Sequence, residues 1–141
     1  MRFGIHIRTA GGLVKALVRA EQLHCECAQL FSGNPNSWST RELDAGEAQA
    51  FQNRCSELNI SPVILHTPYL LNLASPDDDI WDKSKKALAF ALNRANELGA
   101  ESVVTHIGSH KGAGLEYGVS RIAEAVRYSL EINSNAHIAL E

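Results

Sequence analysis

Three apolar runs in this chain end on residues whose side chains bind metal ions. Residues 62–66 (PVILH) close on His66, residues 102–106 (SVVTH) on His106, and residues 137–141 (HIALE) on Glu141. Two imidazoles and a carboxylate form a donor set that suits zinc and can also hold manganese or iron. A cation held there would lower the pKa of a water molecule and stabilise charge on a phosphoryl oxygen. A single strand-end histidine is ordinarily a hydrogen-bonded structural residue. Three successive strand ends carrying ligand types point to a metal site, because α/β barrels gather their chemistry at the carboxyl ends of parallel strands. Two more histidines belong near that rim. His6 is expected either to orient a ligand or to be an ordinary core histidine, and His110 to cap or line the loop after the fourth strand. His24 and His137 read as structural or surface residues.

The elements that must position these side chains alternate along the whole chain. Short apolar runs at residues 3–7, 28–31, 62–66, 102–106 and 137–141 predict five strands. Helical stripes lie between them: Leu13, Leu17 and Ala20; Ala48, Phe51, Cys55 and Leu58; Leu88, Leu92 and Ala95; and Val119, Ile122, Ala123, Val126 and Leu130. The third helix is the best signposted, with Ser75 as its cap, Pro76 in its first position, Asp77 to Asp79 at the positive end of its dipole and Gly99 as its stop. Strand and helix in strict alternation require a parallel sheet with right-handed crossovers. The ligand residues recur at 40 and then 35 residues, a spacing that suits barrel βα units. RTAGG follows the first strand where an open doubly wound sheet would carry GxGxxG, so a (β/α) TIM-type barrel is the expected fold. A closed barrel needs eight strands. The prediction is therefore one domain, residues 1–141, truncated after about five strands, with its first and fifth strands left as open edges.

Composition narrows the function classes. A hydrophobic content of 45% over 141 residues is that of an ordinary globular domain. No apolar run approaches the roughly 18 residues of a membrane span, and the first residues, MRFGIHIRTAGG, lack the apolar stretch of a signal peptide, so the expected address is cytoplasmic. Cys25, Cys27 and Cys55 are too sparse and wrongly spaced for a zinc knuckle and read as small buried hydrophobes. A formal charge of −3 gives no global basic footprint for nucleic acid, although a local groove can be basic where the whole is not. Trp38 and Trp81 read as packing residues, with Trp38 on the same rim as the ligands.

Five segments taken in order carry a family resemblance: MRFGIHIRTAGGL, LFSGNPNSW (residues 30–38), HTPYLLNLA (66–74), THIGSH (105–110) and the terminal IALE. Together they resemble the first five βα units of the endonuclease IV family of apurinic/apyrimidinic endonucleases. The resemblance implies an eight-stranded barrel with up to three zinc ions that hydrolyses the DNA backbone 5′ to an abasic site in base excision repair. It implies that His66 and His106 bind one zinc and that Glu141 bridges it to a second and serves catalysis. Tyr69 and Leu70 would enter double-stranded DNA at the lesion, and Asn36 stands at a DNA-contacting position where the family commonly has Arg. Ile107 and Arg8 replace a usual Pro and Ser. At most one zinc has its protein ligands complete here, so the isolated chain is expected to cleave little or not at all. The complete enzyme is expected to be a monomer away from membranes. Two other readings remain open: a sugar isomerase or epimerase of the xylose-isomerase-like barrel with one divalent metal, and a non-catalytic half-barrel that binds DNA or a partner chain.

Overall fold

The structure, a computed structural model, describes residues 1–131 and 135–141. Five strands, β1 (Gly4–His6), β2 (Cys27–Phe31), β3 (Val63–His66), β4 (Ser102–Thr105) and β5 (His137–Leu140), alternate with α1 (Leu13–Gln22), α2 (Ala45–Glu57), α3 (Asp78–Leu98) and α4 (Leu115–Leu130). All neighbouring strands are parallel and their order in the sheet is their order in the chain. That order never reverses, so right-handed crossovers place every helix on one face, whereas a doubly wound sheet reverses at a switch point. The result is the arc of a TIM-type barrel, with helices outside and a bare concave face inside.

Period-two alternation sorts the strand residues between these faces. Ala28, Leu30, Val63, Leu65 and Val103 are buried under the helices, where they meet Leu17, Phe51, Leu88 and Leu92. The third helix starts later than its sequence signals suggest. Asp77, not Ser75, is the N-cap, its carboxylate accepting from the Ile80 amide at 3.0 Å, while the Ser75 hydroxyl accepts from the Asp77 amide one turn earlier at 3.2 Å. Pro76 therefore precedes the cap rather than opening the helix. We expect Asp77→Ala to cost about 1 kcal/mol in a denaturant titration, and Ser75→Ala distinctly less. Gly99 ends the helix with a left-handed φ of 65°.

Two further expectations are corrected. The three cysteines are free and half-buried rather than fully buried, and burial still pushes the Cys55 thiol up to about 11, which makes it unreactive near neutral pH. In α4, Val119 and Leu130 are exposed, and Ile122, Ala123 and Val126 are only partly covered, because this stripe faces the open flank beside β5 instead of another βα unit. Phe3 and Ile5 at the β1 edge and Leu140 at the β5 edge are likewise exposed.

Candidate metal centre

Ladder register explains why three residues distant in sequence meet. Val104 is paired with Ala139 and Thr105 with Leu140, so one step further along the same register sets His106 beside Glu141. His66 is paired with Val104, two residues before His106, and side chains two apart on a strand share a face. All three side chains therefore point to the concave side at its carboxyl rim. Their nitrogen and carboxylate atoms lie within 4.8 Å of one another. Glu141 Oε2 is 3.2 Å from His66 Nε2 and 3.7 Å from His106 Nε2. Ligand atoms around a tetrahedral zinc, each roughly 2.0–2.2 Å from the ion, are about 3.4 Å apart, and the two measured separations bracket that value.

The donors are arranged for a cation in a further respect. His66 is buried, and its Nδ1–H donates to the Thr67 carbonyl at 2.7 Å, which turns Nε2 toward the Glu141 carboxylate. Nε2 and the carboxylate, 3.2 Å apart, are the pair of donor atoms a cation between them would join. His106 and Glu141 are 43% and 60% exposed at their side chains, so an ion held here would keep open positions toward solvent, as catalytic sites with three protein ligands do. Among the described residues, this is the group of His, Cys, Asp or Glu side chains spaced to share a metal ion.

The surrounding rim is aromatic. Tyr69, 59% exposed on the loop after β3, has its ring centroid 6.2 Å from that of His66, 6.3 Å from His106 and 5.0 Å from Phe31. Its amide donates to the Pro35 carbonyl at 3.0 Å, which ties this loop to the one after β2. Leu70 is also exposed beside it. Asn36 is exposed on the loop after β2, where its amide donates to the Asn34 side chain in a local turn. Trp38 is more exposed than a packing residue should be and borders a cleft with Pro68, Ala87 and Phe90, whereas Trp81 is buried as expected.

The histidines outside the ligand set divide clearly. His6 is neither a core residue nor hydrogen-bonded to a ligand. Its ring stacks at 4.2 Å on Phe31 and stands 5.9 Å from His66, and burial, then the neighbouring His66, holds its pKa below the ordinary value. His110 organises the loop after β4, its Nδ1 accepting from the Gly112 and Gly114 amides at 3.2 Å each. His6 thus neighbours the His66 ring, while His110 holds its own loop. His24 and His137 are exposed. Sequence reading passed over Asn72, whose side chain binds both backbone groups of Ser109. Its place inside the conspicuous HTPYLLNLA segment was the available signal.

A half-open group of candidate ligands at the strand ends of a singly wound parallel arc is the arrangement of an α/β-barrel segment. The family model described as xylose isomerase-like TIM barrel matches residues 13–141, and the chain belongs to that family. Within it, the similarity is to endonuclease IV: the chain is 42% identical over 137 residues to the probable endonuclease 4 of Methanoculleus marisnigri and 47% identical over 131 residues to that of Natranaerobius thermophilus. These matches cover 97% and 93% of this chain and 49% and 45% of those proteins, so the chain spans about half the length of the curated relatives it matches. The crystal structure of endonuclease IV from Thermus thermophilus superposes with a TM-score of 0.87 at 31% identity, over 99% of this chain and 51% of that one. A D-psicose 3-epimerase, at 11% identity and a TM-score of 0.69, shares the fold alone. Among the described residues no helix is long and apolar enough to cross a membrane.

Proposed function

We propose that these 141 residues supply the lesion-reading loop and the first cation site of a zinc-dependent apurinic/apyrimidinic endonuclease that hydrolyses double-stranded DNA 5′ to an abasic site. The observation that carries this reading is the position of Tyr69, a solvent-exposed aromatic ring beside the His66 and His106 imidazoles on the same rim. A side chain that enters a base stack pays a few kcal/mol for unstacking, and pays least where a base is already missing. Tyr69 with Leu70 would thus select the lesion and bring the adjacent phosphodiester to the ligand set in one event.

His66, His106 and Glu141 would hold the cation, with His66 locked in the tautomer that offers Nε2. When bound, zinc supplies Lewis-acid stabilisation of charge on the phosphoryl oxygens and acidifies water. Glu141 keeps a second carboxylate oxygen with which to bridge a neighbouring cation, the role in which it would serve catalysis. Arg8 and Lys111, which follow β1 and β4, lie on the loops that would face the phosphates, and exposed Asn36 would contact the strand as a neutral donor. The whole protein would act as a monomer.

Fluorescence anisotropy with a duplex bearing one tetrahydrofuran abasic analogue, against the same duplex intact, tests the reading. The zinc-loaded chain should prefer the lesion by about tenfold, a preference that Tyr69→Ala removes, and incision by these residues alone should be slight. Equal affinity for the two duplexes would sink the proposal. Turnover of a ketohexose with manganese would favour the epimerase reading instead, and a clean, stable dimer without cation binding the non-catalytic module.

A further inference from the structure

We propose that Asn72 is the positioning residue of the cation site: it clamps the loop that carries His106 onto the loop that follows His66, without itself touching the ion or the substrate. The inference rests on the metal-site reading above. The Asn72 side chain uses both ends of its amide on one residue. Its Oδ1 accepts from the Ser109 amide at 2.8 Å, and its Nδ2–H donates to the Ser109 carbonyl at 3.0 Å. One side chain thus reproduces the paired hydrogen bonds that a neighbouring strand would make. The clamp is anchored from behind, since the Asn72 amide donates to Ser84 Oγ at 2.9 Å and that hydroxyl, buried in α3, donates to the Ile80 carbonyl at 2.7 Å.

Beyond Ser109 the restraint reaches the ligands through the backbone. The Ala74 amide donates to the Ile107 carbonyl at 3.0 Å, and the Ile107 amide donates to the Glu141 carbonyl at 3.1 Å. His106 has β4 on one side and this doubly tied loop on the other. Strand pairing fixes His106 on its amino-terminal side; the Ile107 backbone bonds and the Asn72 clamp on Ser109 together hold the carboxyl-terminal side. The two loops approach so closely that residue 108 must lack a Cβ, which is where Gly108 stands, with φ at +82°. An amide that fills both hydrogen-bonding groups of the facing backbone, on a rim otherwise open to solvent, has a purpose beyond general stability: it sets the distance between two imidazoles borne by different strands.

Titration with cobalt(II), read by visible absorption, and amide hydrogen exchange followed by mass spectrometry test this in the unaltered chain, Asn72→Ala and Asn72→Asp. Loss of a group that orients a ligand weakens metal binding roughly tenfold to a hundredfold, and that range is expected for Asn72→Ala. Asn72→Asp keeps the acceptor for the Ser109 amide but sets an anion against its carbonyl, so it should behave like the alanine variant. Exchange should accelerate at residues 106–110 and stay unchanged in the strands. Unchanged cobalt affinity and unchanged exchange at 106–110 would overturn the proposal, as would acceleration spread evenly over the molecule, the mark of a merely structural residue. An unaltered chain that fails to bind cobalt, while the localised exchange difference persists, would sink the metal-site reading and leave the clamp standing.

Discussion

Removing the His66 imidazole, as in His66→Ala, is expected to weaken zinc binding at least about a hundredfold, a loss of about 2.7 kcal/mol. Losing a group that only orients a ligand costs up to that much, and His66 is itself the most enclosed donor of the three. The same substitution opens a hole in a buried site, so its effect on folding must be separated from its effect on the ion. Glu141→Gln makes that separation. The residue is exposed and the change preserves its shape, so the metal-free stability should move by less than about 0.5 kcal/mol while the affinity falls as steeply. Thermal unfolding with zinc at about a hundred times its dissociation constant reads both effects. The unaltered chain should gain about 2.7 kcal/mol, worth roughly 5–10 °C, and each variant no more than about 0.4 kcal/mol at that zinc concentration. Zinc stabilisation undiminished in Glu141→Gln would place the ion elsewhere.

The second large effect belongs to Gly108. A Cβ there would lie 2.1 Å from Asn72 Oδ1 and 2.7 Å from Asn72 Cα. Moving the side-chain amide away would relieve the first clash but not the second, which is with backbone. The φ of +82° adds strain for any residue with a side chain. Overpacking and backbone strain together predict that Gly108→Ala loses about 3 kcal/mol, lowering the melting temperature by roughly 10 °C. Gly12 provides the control, because its φ of +108° is strained too but a Cβ meets nothing within 4 Å, so Gly12→Ala should cost about 1 kcal/mol. Equal losses at the two glycines would show that conformation alone, not the close approach of the loops, governs position 108.

The convergence of His66, His106 and Glu141 was legible because it obeys local rules. An apolar run fixes where a parallel strand lies, period two fixes which residues share a face, and the last residue of the run falls at the rim, so His66, His106 and Glu141 could be placed from the sequence alone. His6 lies one residue short of the end of its run, and its ring stands 5.9 Å from that of His66. It is paired with Gln29, while Phe31, two residues further along β2, is paired with His66, so the stagger of the sheet leaves His6 one layer deeper, against the Phe31 ring. Stagger depends on pairing between strands and is invisible in any one of them. The cap of α3 was misplaced because SPDDD offers two acceptors two residues apart, and only the turn geometry chooses between Ser75 and Asp77. Asn72 was missed for a third reason. A loop amide announces itself only through its partner, and Ser109 lies 37 residues away.

The outermost strand has a consequence for the energetics of the ion. Among the described residues β5 is hydrogen-bonded on one flank only, to β4, and it carries Glu141, the carboxylate of the candidate ligand group. Strand ends with a single neighbour fray, so the affinity for a cation at these residues would be the intrinsic affinity multiplied by the fraction of time β5 is docked. The coupling would run both ways: an ion held there would tether the strand, and anything that docked β5 more firmly would tighten ion binding.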